Sequence, residues 1–188
     1  MVDHSSLASQ PASQPGEPRL GDLDAFELRE LIAESPSALL WRAVSRDGGR
    51  PVCIKRHKSP HPTTAEVARF ERAYRMAREV AGQGVVECLA LLRDGAGLAI
   101  VCEDLAGPNL AEVIAAGAVP WPRALALAIE LVEALVGVHD HGIAHGDIKP
   151  GNVVLARGRQ PTLIDFEAAA RVARRASRHD GGDTLGGT

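Results

Sequence analysis

The chain has 188 residues, 45% hydrophobic and 24% charged, with a formal net charge of -3. This is an ordinary globular composition with room for one or two small cores, and it lacks the basic excess that a nucleic-acid partner calls for. The N-terminus carries Asp3 and His4 and no apolar signal region, and the most apolar later segment holds Glu130 and Glu133, so no membrane span is expected. The three cysteines, Cys53, Cys88 and Cys102, are odd in number, far apart and without a C-x-x-C pair. They suggest neither a disulfide framework nor a zinc site, and they fit a reducing cytoplasm.

Residues 1–22, with Ser5, Ser6, Gln10, Pro11, Gln14, Pro15 and Pro18, carry no periodic apolar residues and are expected to be a disordered leader. Three antiparallel strands follow at Phe26–Ile32, Ala38–Val44 and Pro51–Lys55, with Asp47-Gly48-Gly49 as a turn signal. Pro62 to Val80 reads as a helix, opened by a Thr63-x-x-Glu66 capping box and bearing Val67, Phe70, Tyr74 and Ala77 at helical spacing. Two more strands, Val85–Leu92 and Gly97–Asp104, flank the turn Arg93-Asp94-Gly95-Ala96 and complete five. Pro120 to His139 has an apolar face broad enough for a buried helix, and His139 and His141 suit its C-terminal dipole as caps.

The chemistry concentrates after that helix. His145-Gly146-Asp147-Ile148-Lys149-Pro150-Gly151-Asn152 puts an Asp, a Lys and an Asn in one loop. Val153–Leu155 and Thr162–Ile164 read as a short buried hairpin that would hold Asn152 close to Asp165. Mg2+ takes oxygen ligands, usually one or two carboxylates together with substrate phosphates, and an Asn and an Asp at the ends of adjacent strands suit it. Asp147 would then orient a hydroxyl, while Lys149, pointing the same way along an extended loop, offsets charge on a phosphoryl group.

The loop and the following Leu163-Ile164-Asp165-Phe166 resemble the catalytic loop and metal-binding turn of the protein kinase superfamily, H-R-D-L-x-x-x-N then D-F-G. His145, Asp147 and Asn152 match in register, and Lys149-Pro150 is the serine/threonine-kinase form of the loop interior. Val52-Cys53-Ile54-Lys55 resembles the small-lobe V-A-I-K strand. The resemblance implies an α+β, protein-kinase-like fold: a five-stranded antiparallel small lobe with one helix at about 23–105, then the first, mainly helical, part of the large lobe at about 106–188. It implies ATP and Mg2+ as cofactors and a protein substrate. Asp147 and Lys149 would be catalytic, Asn152 and Asp165 would hold the metal, and Lys55 would reach the α- and β-phosphates. Leu105-Ala106-Gly107-Pro108-Asn109-Leu110 looks like the kinase hinge. On that footing Cys102 is the gatekeeper, the backbone of Glu103 and Leu105 meets the adenine edge, and Ile32, Leu40, Cys53 and Val154 sandwich the ring, although core packing explains each of these four equally well.

Several letters depart from the family pattern. Gly146 replaces the usual Arg, so activation by loop phosphorylation is not expected, and Glu167 replaces the Gly of D-F-G, whose backbone freedom a side chain restricts. Ala33, Ser35 and Ala38 stand where the phosphate-binding loop has glycines, as in the glycine-poor kinase domains of bacterial signalling ATPases and hybrid sensor kinases. Ala73 takes the place of the helix glutamate that pairs the lysine; Glu71 lies roughly 200° round the helix, and Glu66 lies roughly 10 Å along it as a partial substitute. The chain is expected to stop within the activation segment, Ala168 to Thr188, leaving Leu127, Leu131 and Leu135 without partner helices and calling for a missing half or an oligomer. Two alternatives stay open. One is a pseudokinase or nucleotide-binding module. The other is a small-molecule phosphotransferase of the aminoglycoside or choline kinase kind, which His145-Gly146-Asp147 and Asp165-Phe166-Glu167 also resemble.

Overall fold

Alternating apolar and polar residues from Phe26 onward become antiparallel strands in the computed structural model, which describes residues 23–82, 84–156 and 160–172. The expected leader, the turn residues 157–159 and most of the arginine-bearing tail lie outside those residues. The chain divides into two compact units, residues 1–75 with 88–104 and residues 76–87 with 105–188.

In the first unit, β1 (Phe26–Glu34), β2 (Ala38–Ser45), β3 (Pro51–His57), β4 (Cys88–Asp94) and β5 (Gly97–Glu103) form one antiparallel sheet in the order β1-β2-β3-β5-β4. Alternation sorts its two faces. Ala43, Val52, Ile54, Leu92, Ala99 and Val101 pack as a core on one side, with Leu23, Phe26 and Leu28 against them. On the other side Leu40 pairs across the ladder with Lys55, and Cys53 with Cys102. Two register shifts in β1 leave Arg29 and Ile32 as the extra residues of bulges, which sharpen the local twist.

Helix α1 (Thr64–Glu79) starts where expected, at the Thr63/Glu66 capping box. Phe70 on its buried face is 1% exposed and stacks on the His57 ring with centroids 3.9 Å apart. Burial of such a side chain contributes about 1.5–3 kcal/mol.

The expected strand Val85–Leu92 is shorter than its apolar run. β4 begins only at Cys88, because Val85 bridges Leu163 and the Val86 N–H donates to the Leu163 carbonyl at 3.0 Å, both within the second unit. A continuous apolar run therefore serves two cores, and periodicity cannot show where it changes allegiance.

The second unit contains α2 (Leu110–Ala116), α3 (Trp121–Asp140), β6 (Ile143–Ala144) paired with β9 (Ala170–Arg171), and β7 (Val153–Val154) paired with β8 (Thr162–Leu163). Helix α2 was not expected from the pattern, yet its start is written in the sequence. Asn109 accepts from the Glu112 N–H at 2.9 Å, and the Glu112 carboxylate accepts from the Asn109 N–H at 2.9 Å, a complete capping box. At the end of α3 the His141 ring donates through Nδ1 to the Gly137 carbonyl at 2.8 Å, the capping role expected of it.

Helix α3 packs on β6 and β8, burying Leu127, Ala134 and Val138. The exposed apolar face is consequently not the expected one. Leu127 is buried and Leu131 and Leu135 are half-buried, while Trp121, Leu125, Ile129, Val132 and Val136, spaced by three or four residues, are exposed. No helix among the described residues is long and apolar enough to cross a membrane.

Candidate active site

The loop between β6 and β7 is built around a buried imidazole. His145 is 1% exposed, and its Nε2–H donates to the Ile164 carbonyl at 3.0 Å, which leaves Nδ1 to accept the Asp147 N–H at 3.3 Å. Its ring also meets the buried Phe166 ring with centroids 4.6 Å apart. One histidine therefore ties the Asp147 loop to the segment that carries Asp165, a role that its match to the motif did not disclose.

Pro150–Asn152 forms a single 3-10 turn, closed by the Asn152 N–H donating to the Lys149 carbonyl at 2.9 Å. The Asn152 carbonyl accepts the Ile164 N–H at 3.0 Å, so the end of β8 is held against the turn. The Asn152 side chain, buried, donates from Nδ2 to the Asp147 carbonyl at 2.8 Å and to Asp147 Oδ2 at 2.9 Å. Lys149 Nζ reaches the same Oδ2 at 2.6 Å. Asp147, Lys149 and Asn152 are thus in direct contact, and Asp165 is joined to them through its neighbour Ile164.

The electrostatics follow from these contacts. The Lys149 ammonium, hydrogen-bonded to Asp147, holds that carboxyl below its ordinary pKa, with Asn152 acting in the same direction against desolvation. Asp147 is therefore ionised at neutral pH. Because Asn152 spends Nδ2 on Asp147, its Oδ1 is the side-chain atom left with acceptor character. Among the described residues no cluster of three or more His, Cys, Asp or Glu could hold a metal by itself. An amide oxygen and a carboxylate, the donor types that Asn152 and Asp165 carry, are those that Mg2+ takes beside phosphate and water.

Asp165 has φ +68, a left-handed conformation uncommon for a non-glycine residue and frequent at functional turns. Glu167 does not have a positive φ, and its N–H reaches Asp165 Oδ1 at 3.4 Å. In this conformation the left-handed backbone therefore falls on Asp165 and not on Glu167. Gly146 is different. At φ +82 it lies so close to Ala168 that an added Cβ would be 2.3 Å from the Ala168 carbonyl oxygen.

Burial pushes the His145 pKa below its ordinary 6.5, against opposing contributions from Ile164, Asp165 and Asp147. A depressed folded-state pKa means that the unfolded chain binds the proton more readily. The associated stability is complete above pH 6.5 and declines as pH falls from there through the folded value. The melting temperature is expected to drop below pH 6.5 more steeply in the native chain than in His145→Gln; parallel profiles would contradict this.

In the first unit, Lys55 lies opposite Leu40 on β2 and Ile100 on β5, and Cys53 lies on the same face two residues before it. Ile32 occupies its bulge, and Glu103 closes β5 opposite Val52. Leu105 and Val154 are buried in the second unit, Val154 pairing with Thr162 and bridging Asn109. The glycine-poor turn closes on itself. The Ser35 N–H donates to the Ala38 carbonyl at 2.8 Å and the Ala38 N–H donates to Ser35 Oγ at 2.9 Å, so both amides are used within the hairpin.

Ala73 is buried in α1, and Glu71 pairs with Arg75 at 3.3 Å along the same helix. Glu66, the partial substitute expected from its place on the helix, is engaged at the helix start. Its carboxylate accepts from the Thr63 N–H at 2.7 Å and the Thr63 hydroxyl at 2.8 Å, holding it in the cap and lowering its pKa.

This arrangement of a five-stranded sheet, an Asp-Lys-Asn loop and a following aspartate turn is matched by the protein kinase domain model over residues 27–185, and the chain belongs to that family. Among characterised relatives it is 38% identical over 128 residues to serine/threonine-protein kinase pkn2 of Myxococcus xanthus, covering 66% of this chain and 15% of that protein. It is 28% identical over 160 residues to serine/threonine-protein kinase PkaA of Streptomyces coelicolor, covering 77% of this chain and 30% of that protein. CBL-interacting protein kinase 19 of Oryza sativa is 27% identical over 168 residues, covering 88% of this chain and 33% of that protein. The chain thus spans a third or less of each of these relatives.

Proposed function

We propose that this chain carries the nucleotide-handling and phosphoryl-transfer machinery of a serine/threonine protein kinase, acting on a protein hydroxyl with ATP and Mg2+. The observation that carries the reading is the convergence of Lys149 and Asn152 on one Asp147 oxygen, 2.6 and 2.9 Å away, in a loop bonded to the Asp165 strand. Mg2+, when bound, would offset charge on the phosphates. Asp147 would orient the acceptor hydroxyl and take its proton, and Lys149, exposed at its tip, would turn from Asp147 toward the transferred group. Asn152 and Asp165 would hold the metal. Lys55 would bind the α- and β-phosphates, and Ile32, Leu40, Cys53 and Val154 with the backbone of Glu103 and Leu105 would bind the adenine.

The self-closed Ser35 hairpin favours a second reading, a nucleotide-binding module with weak or no turnover, because its amides are engaged within the turn. A melting-temperature titration with ATP, with and without Mg2+, followed by a transfer assay on a generic basic protein, separates the two. Kinase activity predicts a Mg2+-dependent upward shift together with label on the acceptor. A shift without label supports the module, and neither shift nor label removes both.

A further inference from the structure

The structure assigns a redox modification site to the sheet: we propose that Cys88 and Cys102 form a reversible intrachain disulfide when the protein meets hydrogen peroxide. The two residues are direct partners on neighbouring antiparallel strands, β4 and β5, and their sulfurs lie 3.3 Å apart. Directly opposed residues of an antiparallel pair have Cα atoms about 4.5–5.5 Å apart, inside the span of about 4.4–6.8 Å that a disulfide bridges. Closing from 3.3 Å to a bond of about 2.05 Å needs only side-chain rotation. The bulge between Cys88 and Ala90 adds local freedom at that end of the ladder.

Cys53 is the competitor, since it faces Cys102 from β3 on the other side. The 3.3 Å sulfur contact of Cys102 is with Cys88, whereas burial first, then Asp104, push the Cys53 thiol pKa up to about 11. The hydrogen bond with Cys88, followed by burial, also keeps the Cys102 thiol protonated, so the reaction is slow beside that of an exposed, activated thiol.

The chemistry balances with the peroxide as the only oxidant. Cys102, the less buried of the pair, attacks one peroxide oxygen. The O–O bond breaks, and a sulfenic acid and water result. Cys88 then attacks that sulfur, the S–S bond forms, the S–O bond breaks and a second water leaves. Both electrons lost by the two thiols end on the peroxide oxygens, and a dithiol reductant reverses the change. The inference rests on the sheet alone and is independent of the phosphoryl-transfer reading.

The test is peptide mapping of the native chain after hydrogen peroxide treatment and maleimide blocking of remaining thiols. Trypsin cuts at Arg78, Arg93 and Arg123, so Cys88 and Cys102 fall on separate peptides. The expected result is one linked pair, Glu79–Arg93 with Asp94–Arg123, released by dithiothreitol and still formed in Cys53→Ala. The melting temperature should rise on oxidation and return on reduction, with no rise in Cys88→Ala or Cys102→Ala. A Cys53–Cys102 link, a link between chains, or maleimide on all three cysteines after peroxide would each overturn the proposal. The mapping is done on native protein, so poor folding of a variant leaves the result readable.

Discussion

Asp147→Ala is expected to lower phosphoryl transfer by about 10²–10⁴-fold, the usual worth of a positioned acid-base group, while leaving the fold and the MgATP-dependent thermal shift in place. The separation follows from where the side chain is bonded. Its Oδ2 contacts are to Lys149, whose side chain is 56% exposed, and to Asn152, which keeps a second bond to the Asp147 carbonyl at 2.8 Å. An exposed ion pair contributes about 0–1 kcal/mol, so truncation removes the acceptor for the hydroxyl proton without unlocking the loop. Single-turnover transfer measured beside the melting titration checks this. A variant that transfers at the native rate would strip Asp147 of its role, whereas one that merely fails to fold would show no cooperative melt.

Gly146→Arg, the change that restores the commonest family letter, is expected to destabilise the chain rather than improve it. Two costs add. A side chain at φ +82 carries strain of about 1–3 kcal/mol, and a Cβ placed 2.3 Å from the Ala168 carbonyl oxygen forces a backbone shift like that of an overpacked core, about 1–3 kcal/mol more. Ala168 precedes β9, which pairs Ala170 with Ala144 and Arg171 with Ile143, so the displaced segment pulls on the strand leading into His145. A total of about 2–6 kcal/mol corresponds to a fall in melting temperature of about 4–24 °C for a chain of this size. An unchanged melt would mean that the 168–171 segment is not held against Gly146. The glycine is therefore read as a packing requirement of this chain.

The motifs and the fold class were legible because their signals are local. Alternation marks β1 to β3, Thr63-x-x-Glu66 opens α1, and the spacing of His145, Asp147, Asn152 and Asp165 already implies a loop followed by a hairpin. Helix α2 is equally legible in Asn109-x-x-Glu112, a capping box of the same kind that overlaps the hinge-like stretch Leu105–Leu110. Counting back along both strands from the Asp94–Gly97 turn brings Leu89 opposite Cys102, and only the bulge between Cys88 and Ala90 makes the two cysteines partners. Judged by separation along the chain alone, the two cysteines looked unrelated.

Other features had no local signal. Glu66 reads the same whether it is a spare carboxylate or a cap until the Thr63 amide is seen 2.7 Å away. Which face of α3 stays open depends on β6 and β8, two-residue strands too short to leave a pattern.

Residue order alone was enough to determine the chemistry on offer, an acid, a base, an amide and a second acid at kinase spacing, because short-range spacing limits where neighbouring side chains can point. Tertiary contact decided how those groups are held: His145 buried between two segments, Asn152 turned onto Asp147, Gly146 pressed against Ala168 and two thiols brought together across a ladder. Each of these depends on distance and burial between residues remote in the chain, which only the folded backbone sets.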